Sequence, residues 1–256
     1  NKPEAFEIIA RHAKDLAMVF IEPVQGSNPR SDISSFLKGL RRICDTHNIL
    51  LGFDEIITGG RLGVSGGKDY FGVTPDIATY GKIYGGGLPI GLLAGKDEVM
   101  DCVRSGDPVF LGGTFSANPL SLVAGMSALK LLKSSSSIYE SLAANANKIV
   151  MQVNDFCAAE GIPARMTGCC SMFRLLFTDR SVGNRRERDE RELALAIQTD
   201  FYEALRHNGL SIGANRINFL STAHTDNDVE TIASTYRDTL YGMLNNNNAS
   251  LVSARL

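Results

Sequence analysis

Residues Ile49–Gly95 read ILLGFDEIITGGRLGVSGGKDYFGVTPDIATYGKIYGGGLPIGLLAG, and this stretch decides the fold. Its apolar run Ile49–Phe53 ends at Asp54, and a second run, Asp76–Tyr80, ends just before Gly81 and Lys82. Unalternating runs of this length are typical of strands that are buried on both faces of a parallel sheet. Because open α/β sheets bind ligands at the carboxyl ends of their strands, we expect Asp54 and Lys82 to lie at a functional edge.

The flanking residues extend this sheet in both directions. Ala17–Ile21 is another apolar run of strand length, and Ser34–His47 carries apolar residues at helical spacing. Strand, helix and strand in this order predict a right-handed parallel crossover. Ile90–Ala94 adds a further strand, and Asn118-Pro119 begins a helix with proline in its favoured first turn. The sequence therefore predicts an α/β domain with a mostly parallel sheet.

Glycine is concentrated on both sides of the second strand. Five glycines precede it in close succession: Gly59, Gly60, Gly63, Gly66 and Gly67. Because glycine costs backbone entropy on folding, we interpret this segment as a functional loop that passes close to a ligand or a neighbouring chain. Lys82 is followed by Gly85-Gly86-Gly87, which a lysine on an ordinary surface would not require.

The pattern of elements changes after the serine run Ser134–Ser137. Shorter elements are predicted from there on, with strands at Ala164–Met166, Met172–Phe177 and Ile217–Leu220 and a helix at Asp189–His207. We therefore predict two domains. Residues 1–133 belong to the large α/β domain, and residues 134–256 form a small α+β domain.

Composition excludes several classes of partner. The 256 residues carry a net charge of −2, which gives no reason to expect nucleic acid or an anionic membrane as a partner. No apolar run approaches the ~20 residues that span a bilayer. The five cysteines lack C-x-x-C spacing, and the four histidines lack metal-ligand spacing. We therefore expect a cytoplasmic protein without a disulfide framework or a bound metal.

Lys82 and Asp54 together indicate carbonyl chemistry. A lysine amine forms a Schiff base with a carbonyl carbon once it is neutral. Most lysines are surface charges, but Lys82 ends an apolar strand and precedes three glycines. A carboxylate at the end of a buried strand needs a cationic partner, and the alternative for Asp54 is a helix cap. The residues alone thus predict a covalent carbonyl site with a charge partner.

Four sequence motifs are shared with a known enzyme family. They are EPVQG at Glu22–Gly26, FDEI-x-TG-x-R at Phe53–Arg61, FGVTPDI-x-T-x-GK-x-x-GGGLP-x-G at Phe71–Gly91, and GGTFSANPL at Gly112–Leu120. With them, the chain resembles the class III pyridoxal-phosphate-dependent aminotransferases from about Ala17 to about Leu240. The last motif, together with LSTAHT at Leu220–Thr225, is most similar to the branch that contains the glutamate-semialdehyde aminomutases.

The resemblance implies a fold, a cofactor and a reaction. The fold is type I, in which residues 1–133 are the C-terminal part of the large cofactor-binding domain and residues 134–256 are the small domain. The cofactor is pyridoxal 5'-phosphate. The enzyme is an aminotransferase that moves an amino group from a small-molecule amino donor to a carbonyl acceptor. The family's cofactor phosphate is bound across subunits, so we expect a homodimer.

The resemblance also implies roles for five residues. Lys82 matches the lysine that forms the internal aldimine with the cofactor and then carries a proton between substrate and cofactor. Asp54 matches the partner of the ring nitrogen, and Ile56 matches the apolar residue packed under the ring. Thr114 matches the threonine that binds the cofactor phosphate across the dimer interface, where Gly113 lets the backbone approach.

Three further residues stand at polar positions of the family pattern. Glu22 matches a buried glutamate that supports the site, and the alternative is a carboxylate satisfied by a turn. Gln25 of the same motif is a candidate substrate contact. Arg216 stands at or next to the place where aminomutases carry a glutamate, and a guanidinium there suits a substrate carboxylate. The alternative for Arg216 is a surface cation on an edge strand.

One departure from the family leaves alternatives open. The family's N-terminal segment, with its phosphate cup and an aromatic residue that stacks on the cofactor, is not part of this sequence. We expect a longer native protein, a partner chain that supplies this half, or a non-catalytic remnant of the fold. Among enzymes, the alternative to an aminotransferase is an aminomutase of the glutamate-1-semialdehyde type, which isomerises its substrate on the same cofactor.

Overall fold

The computed structural model describes residues 2–103, 109–192, 195–213 and 217–245, without the side chains of residues 195 and 245. The chain divides into two units. The first comprises Asn1–Val24 and Asp32–Ser137, and the second comprises Gln25–Ser31 and Ile138–Leu256. No helix within the described ranges is long and apolar enough to cross a membrane.

The first unit is built on a four-stranded sheet in the order β1-β2-β3-β4. The strands are β1 (Met18–Ile21), β2 (Leu50–Asp54), β3 (Ile77–Gly81) and β4 (Gly91–Gly95). The first three run parallel and β4 pairs antiparallel with β3, so the predicted mostly parallel sheet is confirmed. The helices are α1 (Glu4–Arg11), α2 (Ser34–His47), α3 (Gly67–Phe71), α4 (Asp97–Met100) and α5 (Pro119–Ser134), with 3-10 turns at Ala13–Asp15, Lys82–Gly85 and Asp101–Val103.

Strand β2 forms the buried centre of this sheet. Leu51 and Phe53 are fully buried, as expected for a strand that is covered on both faces. Helix α2 buries Leu37 and Leu40 in the same unit. It ends at Asn48, whose left-handed backbone (φ 54°) reverses the chain so that β2 begins directly afterwards.

Asp76 ties the strands together at the amino end of the sheet. Its Oδ2 accepts hydrogen bonds from Leu51 N at 2.7 Å and from Arg41 Nη1 at 2.8 Å, and its Oδ1 lies 2.6 Å from Lys96 Nζ. Burial alone would raise the pKa of Asp76, but these three partners hold it below its ordinary value. The network therefore fixes the start of β3 against β2, α2 and the end of β4.

The second unit contains a three-stranded antiparallel sheet. Its elements are α6 (Ser137–Ala159), β5 (Arg165–Cys169), β6 (Met172–Leu176), α7 (Arg185–Arg191), α8 (Leu195–His207), β7 (Asn218–Phe219) and α9 (Asp226–Asn245). Its core contains Phe173, Phe177, Phe201 and Tyr236, all buried. The predicted α+β class of this part is confirmed, and the assignment of residues 1–133 and 134–256 to two domains stays a prediction.

One helix of the second unit differs from its prediction. The helix expected over Asp189–His207 is interrupted, because Glu192 has an extended backbone (φ −71°, ψ 137°). The Glu192 side chain is buried near Arg174 and Arg188, with N–O distances of 3.9 and 3.6 Å. Arg188 stands at i,i+4 spacing from Glu192, whereas Arg174 is distant in the sequence, so no local pattern shows the pair with Arg174.

Candidate active site

The carboxyl ends of β2 and β3 form the edge at which the sequence predicts a site. The two strands run parallel with Asp54 opposite Thr79, and Glu55 N donates a hydrogen bond to Thr79 O at 2.9 Å. Strand β2 ends at Asp54, and Lys82 follows the last residue of β3. The parallel register therefore brings Asp54 and Lys82 to the same edge of one sheet.

Asp54 is oriented by the turn that follows it. Its Oδ1 accepts a hydrogen bond from Ile56 N at 3.0 Å, and the residue is half-buried. Residues 56–61 form turns and no helix begins there, so Asp54 is not the helix cap considered as its alternative. The bond holds the carboxylate at the carboxyl edge of the sheet.

Lys82 adopts a backbone conformation that is unusual for a lysine. Its φ is +48°, in the left-handed region, where a residue with a Cβ costs about 1–2 kcal/mol. It opens the 3-10 turn Lys82–Gly85, and its side chain is exposed. Strain of this kind persists only where the surrounding structure determines the conformation. The residues packed around Lys82 therefore hold its backbone in this conformation.

Two neighbouring segments fix the turn that carries Lys82. Helix α5 passes so close that a Cβ at Gly125 would overlap Tyr84 O, and one at Gly86 would lie 2.5 Å from Ala124 O. In addition, Tyr84 Oη donates a hydrogen bond to Val64 O in the glycine-rich loop (residues 59–67). At least part of the glycine run after Lys82 is therefore explained by the packing of α5.

Ile56 lies next to the backbone that leads into Lys82. A Cβ at Gly81 would be 3.2 Å from Ile56 Cδ1 and 3.2 Å from Ile90 O. Glycine at this position thus lets the branched side chain of Ile56 approach the end of β3. Asp54, Ile56 and Lys82 are in this way gathered at one edge of the first unit.

The glycine-rich loop packs against side chains of its own unit. Gly66 has φ 69° and ψ −134°, and a Cβ there would overlap Glu55 Oε2. A Cβ at Gly67 would lie 2.6 Å from Pro23 Cβ. From the sequence we interpret these glycines as lying close to a ligand or a neighbouring chain, whereas in the structure these two contact Glu55 and Pro23.

Glu55 and Tyr80 have no role predicted from the sequence. Glu55 is fully buried, and burial raises the pKa of its carboxyl although Thr58 and the Gly67 backbone donate hydrogen bonds to it. Burial also raises the pKa of Tyr80 to about 12, and the nearby Glu55 carboxylate adds to the shift. Glu55 follows the last residue of β2, and no local pattern in the sequence points to its burial.

Gly113 and Thr114 lie on the exposed segment before α5. Together with Pro89–Leu92 and the start of α5 they line a cavity of about 600 Å³. Asn118 caps the helix there, since its Oδ1 accepts hydrogen bonds from the first-turn N–H groups. Among the described residues, those that line this cavity do not include Asp54 or Lys82. The structure therefore does not bring the predicted phosphate ligands and the Lys82 edge into one cavity.

Of the three remaining predicted residues, one is exposed, one belongs to the second unit and one lies outside the described chain. Glu22 follows β1 and is exposed, which differs from the buried position expected for it. Gln25 belongs to the second unit, where its carbonyl oxygen accepts a hydrogen bond from Asn28 N at 3.0 Å. Arg216 lies outside the described residues. No group of three or more His, Cys, Asp or Glu side chains within the described ranges could hold a metal ion.

Comparisons with known proteins agree with the sequence motifs. The family model for aminotransferase class-III matches residues 2–228. Glutamate-1-semialdehyde 2,1-aminomutase from Methanoregula boonei is 38% identical over 239 residues, which cover 92% of this chain and 56% of that protein. The chain thus spans about half the length of the curated relatives that it matches.

Solved structures share the fold over almost the whole chain. An omega-transaminase from Sphaerobacter thermophilus matches with a TM-score of 0.82 at 30% identity, over 93% of this chain and 54% of its own. A transaminase with PLP bound matches with a TM-score of 0.81 at 27% identity, over 96% of this chain and 57% of its own. The resemblance drawn from the motifs is confirmed, and the chain belongs to the class-III aminotransferase family.

Proposed function

We propose that this chain holds pyridoxal 5'-phosphate at the Asp54–Lys82 edge and uses it to move an amino group. One observation carries the proposal: Lys82 is held in a left-handed turn at the end of β3, beside the strand that ends at Asp54. Membership of the class-III aminotransferases supports it, and so does the similar transaminase that has PLP bound.

The donor groups at this edge fit the cofactor. Pyridoxal phosphate presents an aldehyde, a ring nitrogen and a flat ring, which suit an amine, a carboxylate and an apolar side chain. Lys82 offers an exposed amine, and Asp54 offers a carboxylate at the same sheet edge. Ile56 offers an apolar surface beside Gly81, where the backbone carries no Cβ. These residues would hold the aldehyde carbon, the ring nitrogen and one ring face.

The residues of this edge have separate tasks in the reaction. When bound, the cofactor supplies an electron-withdrawing ring that stabilises negative charge on the carbon bearing the amino group. Asp54 would hold a proton on the ring nitrogen, because a carboxylate beside it favours the charged form. Lys82 Nζ would hold the aldehyde carbon until the amino donor replaces it, and would then take a proton from the donor's carbon. Since α5 fixes the turn, one backbone position presents the amine for both tasks.

Two reactions fit this chemistry. An aminotransferase passes the amino group to a second molecule that carries a carbonyl, whereas an aminomutase returns it to another carbon of the same molecule. Transaminase structures at 27–30% identity support the first reaction. Curated glutamate-1-semialdehyde 2,1-aminomutases at 35–38% identity support the second. Because the curated relatives at 35–38% identity are aminomutases, we place the intramolecular reaction before the intermolecular one, the reverse of the order expected from the sequence.

We further propose that a second polypeptide completes the site. Thr114 lines a cavity that does not include Lys82, which agrees with a phosphate contact donated to the other subunit of a homodimer. The chain spans about half the length of its relatives. None of the five cysteines forms a disulfide, which supports a cytoplasmic location.

A cofactor titration tests the proposal. Wild-type protein, alone and with any chain that co-purifies, should develop a visible absorbance band with pyridoxal phosphate. Lys82→Ala should abolish this band, whereas Lys130→Ala, which removes an exposed amine of α5, should leave it unchanged. Asp54→Asn should keep the band but lose most turnover, because the ring nitrogen is no longer held protonated.

Two results would contradict parts of the proposal. A band that survives Lys82→Ala would remove this lysine from the site. Failure of every preparation to bind the cofactor would favour the non-catalytic alternative. Product analysis separates the two reactions, since a net amination of an added carbonyl acceptor identifies an aminotransferase and an isomerised substrate identifies an aminomutase.

A further inference from the structure

Glu55 is a fully buried carboxylate directly after β2. Its Oε1 accepts a hydrogen bond from Gly67 N at 2.7 Å, and its Oε2 accepts one from Thr58 Oγ1. Its main chain is engaged as well, because its N donates to Thr79 O at 2.9 Å and its O accepts from Gly59 N at 2.8 Å. One residue thus fastens both ends of the glycine-rich loop to the strand pair β2–β3.

The glycine-rich loop in turn contacts the turn that carries Lys82. A Cβ at Gly59 would lie 2.6 Å from Tyr84 Cε2, and one at Gly60 would lie 2.9 Å from Ile83 Cγ2. Tyr84 Oη also donates a hydrogen bond to a carbonyl oxygen of the loop. Since Ile83 and Tyr84 belong to this turn, any displacement of the loop reaches the backbone next to Lys82.

We propose that Glu55 is a positioning residue that holds the Lys82 turn in place through the glycine-rich loop. The coupling between Glu55 and the Lys82 turn is inferred from the contacts and does not depend on the proposed function. Only the identity of the ligand that Lys82 holds depends on it. Burying a carboxylate costs free energy unless hydrogen-bond donors compensate for it. An apolar side chain here would leave the Gly67 N–H and the Thr58 hydroxyl buried without this acceptor.

Hydrogen exchange tests the coupling without any cofactor. Glu55→Ala should speed amide exchange in the glycine-rich loop. It should also speed exchange at Gly86 and Leu88 by on the order of tenfold, because their N–H groups donate to carbonyl oxygens of the Lys82 turn. Glu55→Gln keeps an acceptor for Gly67 N–H and should restore slow exchange. The control Glu98→Ala removes an exposed carboxylate of the same unit and should change neither segment.

A second variant keeps the proposal testable if Glu55→Ala does not fold. Thr58→Val removes one donor to Glu55 at nearly constant volume, and it should produce a smaller rise in exchange at Gly86 and Leu88. Faster exchange confined to residues 56–67, with these two amides unchanged in each variant that folds, would overturn the proposal.

Cofactor attachment gives an independent readout. At saturating pyridoxal phosphate, Glu55→Ala should reduce the amplitude of the Lys82-dependent absorbance band several-fold, and Glu55→Gln should recover most of it. A full-amplitude band in folded Glu55→Ala would overturn the proposal. If the wild-type protein itself shows no band, the proposed function fails, and the exchange rates at Gly86 and Leu88 still decide the role of Glu55.

Discussion

Replacing Gly66 by alanine should destabilise the first unit strongly. Gly66 has φ 69° and ψ −134°, a combination that residues with a Cβ rarely adopt. The added Cβ would also overlap Oε2 of Glu55. That carboxylate is held by hydrogen bonds from Gly67 N and Thr58 Oγ1, so it does not move away freely.

The magnitude follows from three contributions. Backbone strain at this φ and ψ costs about 1–3 kcal/mol. Displacing Glu55 from its buried donors costs about 1–3 kcal/mol more. The lower flexibility of alanine in the unfolded chain offsets about 0.4–1 kcal/mol. The free energy of unfolding of the first unit should therefore fall by about 1–6 kcal/mol.

Gly72→Ala is the matched control for this substitution. Gly72 also has a positive φ of 63°, but a Cβ there would meet no atom within 4 Å. Its replacement should cost about 1 kcal/mol, because backbone strain of about 1–2 kcal/mol is partly offset by the lower flexibility of alanine in the unfolded chain. Native-state hydrogen exchange of β2 peptides at increasing urea concentrations reports on the first unit by itself.

Two outcomes separate strain from contact. If Glu55 is first replaced by alanine, Gly66→Ala should lower the free energy of unfolding by less than it does in the wild-type chain. The difference measures the overlap between the new Cβ and the Glu55 carboxylate, because the two residues are coupled. Equal losses for Gly66→Ala and Gly72→Ala, with no dependence on Glu55, would refute the reasoning.

Three further predictions concern other parts of the chain. Cys170→Gly should stabilise the second unit by about 1 kcal/mol, because Cys170 has φ 52° in the turn between β5 and β6; a lower thermal midpoint would contradict this. Asp76→Asn should destabilise the first unit at neutral pH, because hydrogen bonds lower the pKa of Asp76 in the folded chain in spite of its burial. The contribution of Asp76 is present above the unfolded carboxyl pKa of about 4 and is lost as the pH falls through the lower folded pKa. Urea unfolding between neutral and acid pH should thus show a flatter profile for Asp76→Asn, and parallel profiles would count against the network. Asn118→Ala should cost about 1 kcal/mol through loss of the α5 cap, and Asn118→Asp should recover most of it in thermal unfolding.

Much of the first unit could be predicted because its signals are local. The apolar runs became β1, β2 and β3, as predicted. Burial on both faces holds for β2, whereas β1 leaves Met18 and Phe20 exposed. Helix α2 begins and ends where its apolar spacing predicts, at Ser34–His47. The same runs predict Asp54 and Lys82 at one edge, because parallel strands end together.

Contacts between distant residues could not be predicted in this way. The glycine-rich loop depends on Tyr84 and Ile83, which follow it in the chain and become neighbours only after β3 has paired with β2. Glu192, where the predicted helix is interrupted, lies near Arg174, and the helical pattern does not show that proximity.

The second unit gives a further example in the segment Gln25–Ser31. Its first two residues, Gln25 and Gly26, end the EPVQG motif, yet the segment belongs to the second unit. Asn28 Nδ2 donates to Val182 O at 3.4 Å, and Arg188 Nη1 donates to Ser27 O at 2.9 Å. These bonds join residues more than a hundred positions apart, with sequence separations of 154 and 161, so no local pattern indicates them.

The most direct test of the central claim is to find which lysine holds the cofactor. The protein is incubated with a small excess of pyridoxal 5'-phosphate, reduced with borohydride and digested, and its peptides are analysed by mass spectrometry. We expect the reduced cofactor on Lys82, with exposed lysines such as Lys130 unlabelled. Labelling spread evenly over the exposed lysines, or absent from Lys82, would contradict the account.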